Sequence, residues 1–307
     1  MDQPEHPSLE HKRQSGVVVA LQANYLEVEL EDLQAGLRLL CTRRTRLAHQ
    51  GAAVHVGDRV WVEAMDQRQA RAVVAAVEPR SSWLQRPPVA NVTAVVVALA
   101  VEQPAFDPDQ ANRFLLTAEQ TGLAVQVLLS KCDLVPVDHL QELIQRLQAW
   151  GYEALPVSSR TGIGLESLRS RLACQPLSVL CGPSGVGKSS LLNALVPSLD
   201  LRTGAVSGRL QRGRHTTRHV ELHSLASGAR VADTPGFNRP ELPADVHNLE
   251  VLFPELRLRI ASHRCRFRDC LHRDEPGCGI DREWDRYPMY RRTVDELLAL
   301  NRPSRGG

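Results

Sequence analysis

Gly182-Pro183-Ser184-Gly185-Val186-Gly187-Lys188-Ser189 matches a phosphate-binding P-loop at every defined position. The apolar run Leu177 to Cys181 precedes it and a helical pattern follows from Ser189, which is the strand–loop–helix context the motif requires. Downstream, Asp233-Thr234-Pro235-Gly236 ends an apolar strand and reads as a γ-phosphate sensor. Upstream, Ser130-Lys131-Cys132-Asp133 ends the strand Val125 to Leu129 and reads as a base-reading loop. Nucleotide-binding domains with these three motifs ordinarily present the P-loop first and the base loop last. Here the base loop comes first, the order produced by circular permutation.

Lysine usage supports the motif reading. Only Lys12, Lys131 and Lys188 occur among 37 basic residues, and two of them lie inside the two motifs. A compact ammonium enters a phosphate cradle as a point charge, whereas a planar guanidinium fits poorly there.

The residue types assign roles. Backbone N–H groups of Gly182, Pro183-Ser184, Gly185, Val186 and Gly187 form the cradle around phosphate oxygens, apart from Pro183, which has no N–H. Lys188 reaches the β- and γ-phosphates, the Ser189 hydroxyl ligates Mg²⁺, and Ser190 lies beside it. Asp233 is expected to hold Mg²⁺ through water, and the Gly236 N–H to meet the γ-phosphate. In Arg212-Gly213-Arg214-His215-Thr216-Thr217, a threonine is expected to close on Mg²⁺, Thr217 being favoured over Thr216; a basic surface loop is the alternative. Phe237 follows the sensor glycine and cannot orient water, which leaves His215 as the nearest catalytic candidate, or else as a contact to RNA or phosphate.

Asp133 is suited to accept from guanine N1–H and the exocyclic amine. Adenine presents an acceptor at N1 and lacks that amine, so buried polar groups would be left unpaired. Lys131 lays its stem over the base, Cys132 sits between them, and Val157-Ser158-Ser159 fits a loop that meets guanine O6 through its backbone. Ser130 stands where asparagine is usual, and a serine is not expected to reproduce the amide contacts to guanine N7 and to the P-loop.

The rest of the chain divides around this core. Residues 1–15 read as a disordered tail. Five short strand patterns over 16–79 suit an OB-type β-barrel, an SH3-like or sandwich module being the alternative. Arg38, Arg43, Arg44 and Arg46 are expected on an exposed nucleic-acid face of it. The proline-bearing stretch 80–91 reads as a linker. Residues 92–240 alternate strands and helices, beginning with the nearly all-apolar Val92 to Ala100 region, and imply a three-layer α/β domain. Over 241–307 the pattern predicts helices at 245–260 and 281–300 flanking a Cys/His cluster, hence a helical zinc-binding domain.

Cys265, Cys270, His272 and Cys278 supply three thiolates and one imidazole, a closed tetrahedral set expected to hold one structural zinc. His263 is a rival ligand, and incidental free cysteines are the alternative reading. Arg257, Arg259, Arg264, Arg266, Arg268 and Arg273 surround the cluster and suggest contact with a phosphate backbone, against a merely solvated charged surface. Net charge is only +2, so any nucleic-acid affinity must come from such local clusters. Seven cysteines, three at metal-ligand spacing, no apolar run of about 18 residues and a polar start lead to an expected cytoplasmic, non-membrane protein.

Taken together, the base-loop-first order, the P-loop, Gly213-Arg214-His215-Thr216-Thr217, Asp233-Thr234-Pro235-Gly236-Phe237 and the Cys/His spacing resemble the ribosome small subunit-dependent GTPase A family, RsgA, over about residues 15–300. The resemblance implies an OB domain, a permuted GTPase and a zinc domain. It also implies late maturation of the small (30S) ribosomal subunit through 16S rRNA binding, with subunit-stimulated hydrolysis of GTP to GDP driving release, by a chain expected to be a monomer. Ser130 and Arg218 depart from the family pattern. Two other readings compete: an ATP-using P-loop enzyme, and a zinc-containing RNA-binding protein whose nucleotide site is only regulatory.

Overall fold

A computed structural model describes residues 13–31, 36–44, 53–66, 68–197, 199, 201, 220–233, 242–243 and 245–300. The first five strands are β1 (Gln14–Leu21), β2 (Leu26–Leu30), β3 (Arg38–Arg43), β4 (Arg59–Asp66) and β5 (Arg71–Val77). They pair in the order β1-β2-β3-β5-β4, and β4 returns to β1, which closes a five-stranded barrel. Only β3–β5 is parallel. This closure is the OB-type architecture rather than an open sandwich. β1 begins at Gln14, inside the segment read as tail.

β1 is buried on both sides, for two different reasons. Val18 points into the barrel with Val28, Val60 and Val74, while Val17 and Val19 point outward against Val179, Leu222 and Ala232. The period of two therefore feeds two cores from one strand.

The stretch expected as a linker is instead the hairpin β6 (Trp83–Gln85) and β7 (Pro88–Ala90). Its Leu84 and Val89 join the same outward core as Val17 and Val19, so burial overrides the proline-rich composition. The barrel is thereby seated on the next unit rather than tethered to it.

That unit runs β8 (Ala94–Ala100), α1 (Pro108–Glu119), β9 (Ala124–Ser130), α2 (Val137–Ala149), β10 (Ala154–Val157), α3 (Leu165–Ala173), β11 (Leu177–Cys181), α4 (Lys188–Leu195), β12 (Glu221–Ser224) and β13 (Arg230–Asp233). The sheet order is β10-β9-β8-β11-β13-β12, and every pair is parallel except β12–β13. β8 shows why its sequence is all apolar. Val95, Val97 and Leu99 face α1 and α2; Val96, Ala98 and Ala100 face α3 and α4. Helices on both faces leave no side of the strand to water.

α1 shows local sequence logic at its start. The Asp107 carboxylate accepts from the N–H groups of Asp109 and Gln110, and Pro108 occupies the first turn, where no backbone donor is needed.

Among the described residues, the barrel joins the α/β sheet through one bridge, Ala20 opposite Glu221 of β12. Charge fixes the junction. Glu29 is buried, accepts from the Ser224 hydroxyl at 2.6 Å, and pairs with Arg230 at 3.1 Å and Arg38 at 3.5 Å. Arg38 also reaches Glu27 and Glu221. It therefore lies at this junction, not on the exposed nucleic-acid face expected for it. Arg44 pairs with Glu63, Arg43 is exposed, and Arg46 lies outside the described residues.

The C-terminal region contains α5 (Pro254–Ser262) and α6 (Tyr287–Leu300). The helix expected over 245–260 is two 3₁₀ turns followed by α5, because extended Phe253 precedes Pro254 at the first helical turn. The final helix starts at Tyr287, later than the expected residue 281. Phe253, Trp284, Tyr287, Tyr290 and Val294 build a separate aromatic core that takes in Leu116 from α1.

Arg286 locks this region onto the α/β unit. It is 0% exposed, donates to Asn112 at 3.1 Å, and pairs with Glu255 at 3.4 Å. Its guanidinium lies 4.3 Å from the Phe253 ring centre and 5.0 Å from that of Trp150. Burial pushes the Glu255 carboxyl up even against this guanidinium, so aromatic packing carries much of the contact. Arg286→Ala strands a buried acid and empties the aromatic cage. We expect a loss of about 3–5 kcal/mol in stability, read as a lowered denaturant midpoint. An unchanged midpoint would remove Arg286 from the account of how the two parts adhere.

Candidate functional site

The loops that follow β9 and β11 lie at the carboxyl edge of the sheet, where β13 also ends and where open α/β sheets bind ligands. β9 delivers Ser130 to Asp133, β11 delivers Gly182 to Ser189, and β13 ends on Asp233. The permuted order costs nothing in this geometry, because the site depends on strand neighbours and not on chain order.

The P-loop glycines are required by space and by backbone. Gly182 adopts φ +141°, and a Cβ there would lie 2.1 Å from the Ala98 carbonyl oxygen on β8. Gly187, at φ +92°, opens α4 without a side-chain cap. The first-turn N–H groups of α4 are thereby left for a ligand, with the positive end of the helix dipole behind them. Lys188 Nζ donates to the carbonyls of Gly182 and Pro183, both at 2.8 Å, and so lies folded over the loop. Ser189 and Ser190 follow in the first turn of α4.

Asp133 is held from two directions. The Ser158 hydroxyl, followed by Arg160, holds its carboxyl below the ordinary carboxylate range. Arg160 Nε lies 3.2 Å from Asp133 Oδ2. Ser158 is buried and also accepts from the N–H groups of Arg160 and Thr161. Its side chain is therefore a support for Asp133, a role its sequence position did not reveal. Ser159 is exposed beside it.

Lys131 adopts a left-handed backbone, φ +57°, and its ammonium donates to the Gly185 carbonyl at 2.8 Å and to that of Gln103. Base loop and P-loop are thus physically tied. Cys132 is buried under them. A second tie runs through Ser130, whose hydroxyl is 2.6 Å from the Val186 carbonyl and 3.2 Å from that of Leu99. The contact to the P-loop that serine was expected to lose is present.

Asp233 ends β13 by its backbone, paired opposite Leu180. His215, Thr216, Thr217, Thr234, Pro235, Gly236, Phe237 and Arg218 lie outside the described residues.

The ligand atoms of Cys265, Cys270, His272 and Cys278 all lie within 4.8 Å of one another. Cys265 Sγ is 3.9 Å from Cys278 Sγ, and His272 Nδ1 is 3.4 Å and 3.7 Å from those two sulfurs. A tetrahedron with metal–sulfur bonds of about 2.3 Å has sulfur–sulfur edges of about 3.8 Å, so the set fits a zinc ion. His263 sits apart, with Nδ1 3.2 Å from the Arg259 carbonyl.

Two glutamates missed in the sequence support the cluster. His272 Nε2 faces Glu250 at 3.2 Å, which leaves Nδ1 toward the sulfurs. Glu275 accepts from the N–H groups of Arg273 and Leu271 and shapes the turn. No motif spacing links Glu250 to His272; only the fold brings them together. Among the surrounding arginines, Arg257, Arg259 and Arg273 pair with Glu119, Asp281 and Asp295. Arg264, Arg266 and Arg268 are exposed, with Arg266 stacked near exposed Phe267.

No helix among the described residues is long and apolar enough to cross a membrane.

Residues 77–243 match the RsgA GTPase family. Over its length the chain is 70% identical to the small ribosomal subunit biogenesis GTPase RsgA of Synechococcus sp. (strain CC9311), covering 97% of this chain and 99% of that one. It is 63% identical to the protein of the same name from Prochlorococcus marinus (strain MIT 9303), with 97% of each covered. Among solved structures, YjeQ from Thermotoga maritima aligns with TM-score 0.75 at 31% identity, over 94% of this chain and 99% of that one. YloQ, described as a circularly permuted GTPase, aligns with TM-score 0.77 at 28% identity, over 97% and 99%.

Proposed function

Because the chain belongs to the RsgA GTPase family, we propose that this GTPase acts late in assembly of the small (30S) ribosomal subunit, binds 16S rRNA, and leaves when the subunit stimulates GTP hydrolysis. The observation that carries the nucleotide half is the tie between base loop and P-loop at the carboxyl edge of one sheet. That arrangement disfavours an ATP-using enzyme, since a carboxylate preset at Asp133 repels the adenine N1 acceptor. The subunit half is supported by the names of the relatives and by the exposed arginines at the Cys/His knuckle. The chain is proposed to work as a cytoplasmic monomer.

In this reading Asp133 pairs with the guanine donors, Lys131 covers the base, and the Ser158-Ser159 turn flanks O6. Lys188 unfolds from the Gly182 and Pro183 carbonyls onto the β- and γ-phosphates. Ser189, Asp233 and Thr217, the last in preference to Thr216, would hold Mg²⁺, which would supply neutralisation of the charge that develops on the phosphates. Gly236 meets the γ-phosphate. The cluster of Cys265, Cys270, His272 and Cys278 holds one zinc and has no open position, so it shapes the RNA-facing knuckle and takes no part in hydrolysis.

The deciding experiment is phosphate release from GTP with and without purified small subunits. A rise of at least tenfold is expected; an unchanged rate sinks the assembly-factor reading and leaves a nucleotide-regulated binder. His215 is assigned to positioning water, because Phe237 has no group for it. His215→Ala should retain GTP binding and, at saturating subunit, lose turnover by ~10²–10⁴-fold. Parent-rate hydrolysis by a variant that binds the subunit normally would take His215 out of the mechanism.

A further inference from the structure

Ser130 is 2% exposed, and its side chain points away from solvent into the seam between β8 and the P-loop. Both of its neighbours, the Val186 and Leu99 carbonyls, are acceptors. A hydroxyl has one hydrogen, and at 2.6 Å that hydrogen belongs to Val186. A side-chain amide at this position would have two N–H donors: one for the P-loop carbonyl and one for a second acceptor. Guanine N7 is such an acceptor, on the edge of the base opposite the groups Asp133 reads. The adjacent ammonium of Lys131 is likewise engaged, by the carbonyls of Gly185 and Gln103.

We propose that this chain binds guanine nucleotides without a hydrogen bond to N7, Ser130 acting as a positioning residue that commits its only proton to the Val186 carbonyl. The proposal rests on the base-site reading above and narrows it. N7 is common to guanine and adenine, so rejection of adenine rests on the Asp133 side of the base in either case; what the missing N7 bond changes is that the ligand class widens to guanosine triphosphates altered at position 7. Ser130 contributes by holding the base loop against the P-loop, so that base and phosphate contacts form together.

The test compares equilibrium binding of GTP, ATP and 7-deaza-GTP, in which a C–H replaces N7 and the groups facing Asp133 are unchanged. The unmodified chain is expected to bind GTP and 7-deaza-GTP within about twofold, and ATP at least a hundredfold more weakly. Ser130→Asn should acquire about fivefold to tenfold preference for GTP over 7-deaza-GTP, the effect of one neutral hydrogen bond. Ser130→Ala should weaken both guanine nucleotides in equal proportion, which a purely structural loss elsewhere cannot convert into a change of ratio. A parent preference for GTP over 7-deaza-GTP above about fivefold, with ATP still rejected, overturns the N7 proposal alone. Equal binding of GTP and ATP overturns the base-site reading and the proposal with it. A folded Ser130→Asn variant with no preference removes residue 130 from N7 readout. The comparison on the unmodified chain needs no variant to fold.

Discussion

Asp133→Asn moves nucleotide preference from GTP toward XTP, with GTP affinity falling by about 10⁴-fold. The carboxylate is preset: the Ser158 hydroxyl and then Arg160 keep its pKa below the ordinary range, so it stays ionised throughout the physiological span. Two guanine donors facing this acceptor are the source of selectivity. An amide at position 133 retains one acceptor and presents an N–H, which opposes the exocyclic amine of guanine but suits the carbonyl of xanthine. The buried Ser158 hydroxyl can still donate to the new amide oxygen, so the loop is retained. Arg160 is largely exposed and loses its partner to water at little cost. Competition binding with GTP, XTP and ATP checks the result. A variant that still prefers GTP over XTP would show that Asp133 is not the base-reading group.

Why this loop was legible and its supports were not follows from distance along the chain. Asp133, Lys131, Lys188 and the glycines of the P-loop lie in short motifs whose chemistry needs those residue types at those spacings. The all-apolar β8 announced a doubly covered strand for the same reason: each residue reports its own environment. Ser158, Arg160 and Gln103 act on the site only because separate βα loops converge at one sheet edge. Arg38 misled because a surface arginine and an interface arginine are identical in sequence; buried Glu29, supplied with Ser224 and Arg230, decides between them. The β6–β7 hairpin was hidden by its prolines. Leu84 and Val89 are buried there by strands more than eighty residues further along, including Val179 and Leu222. Glu250 shows the same limit at the metal cluster, being placed by 3₁₀ turns whose position no periodicity betrays.

Metal removal is expected to unfold the knuckle at 265–278 while the nucleotide site keeps its affinity for GTP within about threefold, a separation that follows from packing. The aromatic core of Phe253, Trp284, Tyr287 and Tyr290 belongs to α5, α6 and the segments beside them. The knuckle itself contributes little apolar area: its buried residues are the ligands Cys270 and His272, Leu271 between them packs partly buried on that core, and Arg266, Phe267, Arg268 and Asp269, between Cys265 and Cys270, are exposed. With a zinc bound as proposed, its own stabilisation would come from metal ligation, for which apparent energies of about 10–16 kcal/mol are known in zinc-finger peptides, comparable to or above the ~5–15 kcal/mol of a whole domain. Backbone bonds such as Arg266 N–H to the Gly277 carbonyl, and Gly279 N–H to Cys265 Sγ, depend on the ligands staying together. The loss spreads one step outward. The Tyr287 and Tyr290 hydroxyls donate to the Arg273 and Leu271 carbonyls, both at 2.9 Å, and lose those acceptors when the knuckle opens. Trp284 stands beside both tyrosines and reports the change by fluorescence. Cys265→Ser should reproduce chelation, with one zinc per chain lost and tryptophan emission shifted. It should also weaken binding to small subunits, because Arg264, Arg266 and Arg268 are carried on the opened turn. Freshly purified, unchelated protein without zinc, or a knuckle whose amides stay protected from exchange after chelation, would show that packing alone holds the turn.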